Sequence, residues 1–439
     1  MQAVILAGGK GVKLRPLTFT IPKSLLILIN KPVIDYLIYF LKDQGISNII
    51  IVVDYLAEEI ISYINSNKYG IPIRIETVKH FNGTAQILKQ LSSILEPEFV
   101  VLTSDILFDL PIRKVIDFFK TENTKLGLIA RKEKDLLGKG GFIVNNNKLS
   151  KVVLKDEDIN NVLADSWLYY FKKEVLDFVP IGKYFDIHLD LIKAVLDDFQ
   201  PTVYYSEFFW AVLGRIDPYL RSNFWILNRV LTEKKYIGAR TKISPSATLI
   251  EPYFIDEDCE VQDNVQLGPN VILNKGSVIK AKAKLEYSVI YPNSVIGEET
   301  RGRFAVVGTN SLIGKRCKLG FFTIVGENTV VQDGVVLNDG ARVGPNIVLE
   351  ENTILNDFLF PEEFLVDQID LFKHKNLTPN EKSIYLLLAK SGEQSLNGLL
   401  SKISFSEQEL LVVLESLLNK SLIVTYNEEP RMYALVMDN

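Results

Sequence analysis

The sequence predicts an α/β domain over residues 1–232, a parallel β-helix over 233–358 and a small winged-helix-like domain over 376–439. Three observations predict it. Short β-branched runs alternate with helical patterns in the first half, aliphatic residues recur every six positions in the second, and three helical patterns precede a hairpin at the end. A chain of 439 residues exceeds one ordinary core, which agrees with several domains.

In the first region "AVILA", "NIIIVVD", "IRIETV", "FVVLTSD" and "KLGLIA" read as buried strands. Between them "KPVIDYLIYFLKDQG", "EEIISYINSN" and "TAQILKQLSSIL" space apolar residues as helices packed on a sheet do. The order implies a mostly parallel sheet with crossover helices on both faces. Ligands bind such sheets outside the carboxyl ends of the strands, where Gly8 to Gly11 and Asp105 fall.

Steps of six from Ile237 give Ile243, Leu249, Ile255, Val261, Leu267, Leu273, Ile279 and Leu285, with no polar residue. The march resumes at Val307 and runs through Ile313, Leu319, Val325, Val331, Leu337, Val343 and Leu349 to Leu355. This is the period of a parallel β-helix, each side of a coil sending one aliphatic residue inward. The break around "EETRGRFAVV" predicts a protruding loop or a kink.

In the last region "TPNEKSIYLLLAKSG", "SLNGLLSKI" and "SEQELLVVLESLLNKSLI" are helical, the third opened by Ser406 as N-cap with Glu409 three places on. "LIVTYNEEPRMYALV" reads as a hairpin. Residues 376–439 hold 5 Lys and Arg against 8 Asp and Glu, so protein interaction or assembly is favoured over DNA binding.

The net charge of -5 also argues against a nucleic-acid coat. No apolar run reaches the roughly 18 residues of a membrane span, and "MQAVILAGG" lacks a signal peptide's charged start, so a cytoplasmic protein without membrane contact is expected. Cys259 and Cys317 match no disulfide or metal spacing and read as reduced core residues. Of the histidines, His80 and His188 read as packing or surface residues, and His374 receives no role.

"GGKGVK" places bare amides and cations after the first strand, with Lys10, Lys13, Arg15 and Lys23 following closely, which suits a polyphosphate. Its spacing is neither G-x-G-x-x-G nor the P-loop. The longer stretch "LAGGKGVKLRPLTFTIPKSL" resembles the signature of the sugar-phosphate nucleotidylyltransferases. "NKPVIDY", "NGTAQIL", "LTSDILFDL" and "FFWAVLGRIDPYL" extend the likeness to about residue 232. The hexapeptide solenoid behind it is similar to that of the branch making GDP-mannose and its relatives, and the acidic tail is not part of the usual pattern.

The resemblance implies a Rossmann-like nucleotidyltransferase domain and a left-handed β-helix that builds homo-oligomers, or hetero-oligomers with an active paralogue. It implies that Gly8, Gly9, Gly11 and Arg15 wrap the triphosphate and that Gly83 and Thr84 touch base or ribose. Lys13 and Lys23 would neutralise phosphate, Asp105 would hold Mg²⁺, and Lys155 and Asp165 would meet the sugar phosphate. The expected partners are a nucleoside triphosphate or nucleotide sugar and a sugar 1-phosphate.

Four departures bear on the site. Thr-Arg of the family is Val12-Lys13, Glu-Lys-Pro is Leu154-Lys155-Asp156, and Asn-Ala-Gly is Asp165-Ser166-Trp167. Val212 stands where the family has a second metal-binding aspartate, and valine offers no oxygen to a hard cation. The expectation is therefore a nucleotidylyltransferase with an eroded metal site. Its rival is a non-catalytic paralogue that binds nucleotide sugar and regulates or scaffolds an active partner, and a third reading is a regulator of transcription that senses nucleotide sugars.

Overall fold

The strands of the first region form one twisted sheet in the computed structural model, which describes residues 1–78, 83–132, 141–153, 162–230, 233–361, 377–391, 394–403, 405–419, 423–426 and 432–435. The chain divides into two units, Met1–Lys10 with Pro22–Leu26 and Pro32–Leu213, and Gly11–Ile21 with Ile27–Lys31 and Gly214–Asn439.

The elements of the first unit are β1 (Gln2–Ala7), α1 (Val33–Asp43), β2 (Asn48–Val53), α2 (Ala57–Ser66), β3 (Ile73–Thr77), α3 (Thr84–Gln90), β4 (Glu98–Thr103), β5 (Ile106–Phe108), α4 (Ile112–Thr121) and β6 (Leu126–Arg131). They continue through β7 (Gly141–Asn145), β8 (Lys148–Val153), β9 (Leu163–Lys172), β10 (Thr202–Tyr205) and β11 (Trp210–Val212). The nine-stranded sheet runs β3-β2-β1-β4-β9-β6-β10-β8-β7, and β11 pairs with β5 apart from it.

Every strand read from the apolar runs is present, but the sheet is mixed rather than mostly parallel. β3, β2, β1 and β4 are parallel. The long β9 then runs antiparallel between β4 and β6. At the end of the sheet Asn146 and Asn147 both take positive φ, 46° and 60°, the geometry of a two-residue hairpin, and fold β7 back on β8. Buried Val4, Leu6, Val52, Val101, Leu128, Phe142, Phe171 and Val203 form the core on one face of this sheet.

In the second unit the six-residue march becomes a three-faced parallel β-helix, with sheets of eight, seven and seven short strands. Val261 pairs with Ile279 and Leu319 with Leu337, one coil on, so the inward aliphatics stack in columns. Corner residues Asn264, Asn270, Asn310, Asn328 and Asn346 take φ between 52° and 58°, a region asparagine tolerates well. Asn293, Asn310, Asn328 and Asn346 form a ladder of amide bonds at 3.3 Å. Ser294, Ser311 and Thr329 donate hydroxyls to Gly308, Gly326 and Gly344 of the next coil at 2.6–2.7 Å.

The expected loop or kink is absent from the described coils. Leu285 is followed by inward Ile290, Ile296, Gly302 and Val307, and pairing continues without interruption. Two sides are each one residue short, and Gly302 rather than an aliphatic residue stands between Leu285 and Leu319. A Cβ at 302 would meet Leu285 Cδ2 at 3.0 Å, so the large neighbours fill the column themselves.

After residue 376 the chain forms α5 (Pro379–Ser391), α6 (Leu396–Leu400), α7 (Glu407–Asn419), β12 (Ile423–Tyr426) and β13 (Met432–Leu435). The three helices and the hairpin expected here are present, and Gln394–Ser395 adds a third short strand on β13. Glu409 accepts the Ser406 N–H at 2.9 Å while Ser406 Oγ accepts the Glu409 N–H at 3.3 Å, a capping box.

Candidate functional site

β1 ends beside β4, Leu6 pairing with Thr103, so the turn carrying Asp105 follows directly alongside the exit to Gly8 and Gly9. Ser104 N–H donates to the Leu6 carbonyl at 2.9 Å and Leu213 N–H to the Asp105 carbonyl at 2.7 Å, which fixes that turn from two sides. Lys23, in the 3-10 turn Lys23–Leu25, donates its ammonium to Asp105 Oδ2 at 2.8 Å. Burial pushes the Asp105 carboxyl up, but the Lys23 charge and hydrogen bond, with a bond to Thr103, outweigh it and hold the group below its ordinary 3.8. Val212 pairs with Ile106, the residue after Asp105, so the position expected to supply a second carboxylate presents an isopropyl group.

A second cluster surrounds Asp165. β9 is irregular between Asp165 and Tyr169, and Trp167 takes φ +59°, a conformation natural to the glycine of the resembled motif and costing an L-residue about 1 kcal/mol. Asp165 Oδ1 accepts the Trp167 N–H, and Oδ2 accepts the Tyr169 hydroxyl and meets His188 Nδ1 at 2.8 Å. Trp210 Nε1 donates to the Ser166 carbonyl at 2.8 Å beneath the Arg131 guanidinium, 3.8 Å from the indole centre.

Thr84 opens α3 with its hydroxyl donating to Asp186 Oδ2 at 2.8 Å and accepting the Ile187 N–H at 2.9 Å. Asp186 Oδ1 accepts the amides of His188 and Leu189. Gly83 is required by close approach, since a Cβ there would lie 2.4 Å from the Phe185 carbonyl oxygen. A cavity of about 10 Å³, bounded by Leu6, Thr84, Trp167, Tyr169, Asp186 and His188, joins the Thr84 and Asp165 clusters.

Of the expected site residues, Lys23 and Asp105 touch, and Thr84 and Asp165 line or flank one cavity. Gly11, Lys13 and Arg15 belong to the second unit. There Gly11 takes φ 65°, Arg15 lies over the Phe19 ring at 4.6 Å, and Arg342 Nη1 donates to the carbonyls of Lys13 and Arg15 at 2.7 and 2.9 Å. Burial lowers the Arg342 guanidinium to about 10. Lys155, Leu154, Asp156, His80 and His374 lie outside the described residues.

His188, expected to pack, and Asp186, Tyr169 and Arg342, for which the sequence carried no signal, all take part in these contacts. His188 is 5% exposed and stacks on Trp167 at 6.3 Å and 21°. Burial lowers its pKa, yet the Asp165 bond and charge, with Asp186 beyond, prevail and raise it above the ordinary 6.5. With the folded value above the unfolded one, the contact stabilises fully below about pH 6.5 and its contribution is lost as pH rises through the folded value. Urea midpoints of the wild type should therefore fall over that interval more than those of His188→Gln; parallel profiles would show the contact to be neutral.

The nucleotidyl transferase profile matches residues 2–228, over half of the chain. The chain belongs to the nucleotidyl transferase family. Behind that domain, the GMPPB C-terminal domain profile matches residues 249–359, the coils of the left-handed β-helix. The UTP–glucose-1-phosphate uridylyltransferase of Synechocystis sp. is 26% identical over 71% of this chain and 90% of its own. The mannose-1-phosphate guanyltransferase of Debaryomyces hansenii is 27% identical over 72% and 88% respectively. Among solved structures, HddC of Yersinia pseudotuberculosis is 22% identical, with 51% of this chain and 99% of that one covered at a TM-score of 0.45.

Nucleotidyl transferases are typically metal-dependent. Among the described residues no group of three or more His, Cys, Asp or Glu side chains is placed to hold a metal. Mg²⁺ is commonly bound by one or two carboxylates together with substrate phosphates and water. Asp105 fits the lower end of that range, needing a bound polyphosphate to complete the shell. No helix among the described residues is long and apolar enough to cross a membrane.

Proposed function

We propose that this chain transfers a nucleotidyl group from a nucleoside triphosphate to a hexose 1-phosphate, releasing pyrophosphate. The observation that carries the reading is the Lys23–Asp105 pair beside the exit of β1 in a nucleotidyl transferase domain. Relatives named for glucose 1-phosphate and mannose 1-phosphate support the acceptor class.

An oxygen of the sugar phosphate attacks the α-phosphorus in line as the bond to the β-phosphate oxygen breaks, and no covalent enzyme intermediate is needed. Gly8, Gly9 and Gly11 supply amides to the triphosphate, and Lys13, Arg15 and Lys23 offset its charge. Gly83 and Thr84 border the base or ribose, Lys155 serves the sugar phosphate, and Asp165 stands on the sugar side of the site. Asp105 would hold a Mg²⁺ ion, which when bound would supply charge neutralisation at the phosphates of the triphosphate. The protein acts in the cytoplasm on this reading, in keeping with buried, unpaired thiols at Cys259 and Cys317. Exposed Leu312 and Val348, outward on one face of the β-helix, support self-association or pairing with an active paralogue.

The test is pyrophosphate release over the common nucleoside triphosphates with glucose 1-phosphate and mannose 1-phosphate. Turnover is expected, and Val212→Asp, which restores a carboxylate near Asp105, should raise it about tenfold or more. The missing ligand at Val212 favours one other reading, a non-catalytic nucleotide-sugar binder. Nucleotide-sugar binding without release at any Mg²⁺ concentration would select it.

A further inference from the structure

We propose that His188, through Nε2, is the residue of the Asp165 cluster that contacts the hexose; this rests on the function proposed above. Asp165, which the motif comparison assigns to the sugar phosphate, has its oxygens taken by the Trp167 amide, the Tyr169 hydroxyl and His188 Nδ1. Asp186 is likewise engaged by Thr84 and two amides. Within this cluster His188 Nε2 is buried with no partner among the described residues, while the ring borders the cavity beside Trp167. A buried polar group left unmade is costly, so such an atom marks where a ligand or water is received.

The chemistry fits a sugar hydroxyl better than a phosphate. Asp165 and Asp186 already surround the imidazole with negative charge, which disfavours an anion and suits an N–H donor to a neutral oxygen. The Trp167 indole beside it offers an apolar face to the C–H side of a pyranose. A cavity of about 10 Å³ admits no more than a water, so hexose binding displaces the Trp167 indole from its stack on the imidazole. Asp165 is then a positioning residue, fixing the ring by its bond to Nδ1.

The chain has three histidines, so ¹⁵N-histidine NMR of the intact protein isolates His188. Titration with glucose 1-phosphate, mannose 1-phosphate and their nucleotide sugars should shift Nε2, and titration with nucleoside triphosphate alone should leave it in place. His188→Leu should raise the hexose 1-phosphate KM, or the nucleotide-sugar Kd, about tenfold or more, with nucleotide affinity within about twofold and partial recovery in His188→Gln. Binding of a hexose ligand, seen by calorimetry, with a silent His188 resonance overturns this inference and leaves the proposed function standing. Absence of heat with every hexose ligand overturns the proposed function and this inference with it.

Discussion

Asp105→Asn is expected to lower pyrophosphate release at least about a thousandfold, because it removes the carboxylate described at the proposed metal position while its amide oxygen can still accept from Lys23. Asp105→Ala should lose as much activity and also destabilise. The Lys23 side chain is only 19% exposed, and in Asp105→Ala the ammonium would have neither counter-charge nor acceptor at this position, a change costing about 3 kcal/mol, whereas Asp105→Asn keeps the acceptor and should lose less. Single-turnover release and urea unfolding of both variants separate the effects. Residual turnover within tenfold of wild type in Asp105→Asn would remove the residue from the reaction.

The largest loss of stability is expected from Val325→Asp. Val325 is fully buried and stacks between Val307 and Val343 in an aliphatic column. A carboxylate there has no counter-charge to meet, and substitutions of this kind cost more than about 4 kcal/mol. Because each coil is supported only by its neighbours, the defect should loosen adjacent coils as well. Hydrogen exchange should lose protection over Val307 to Leu337 first, and an unfolding midpoint equal to wild type would contradict the column's role.

The β-helix was legible because its period is written in every coil, and even its irregularity was visible as the gap between Leu285 and Val307. What that gap meant was not, since two shortened sides and one inserted loop leave similar traces in a single sequence. The long antiparallel β9 was missed for another reason: its neighbours β4 and β6 are both distant in the chain, and an apolar run alone does not say which way a strand runs. Lys23 and Asp105, singled out from two separate motifs, do meet in the structure. His188 was not legible, because the carboxylate that fixes it lies 23 residues away and no spacing rule links them.

The bond from Arg342 to the Lys13 carbonyl joins residues 329 positions apart. A ribosome makes the glycine loop almost at once and its anchor only near the end of the β-helix. Each nascent chain therefore carries that loop without its guanidinium clasp for most of its synthesis, and a truncated product ending before residue 342 lacks the clasp for good.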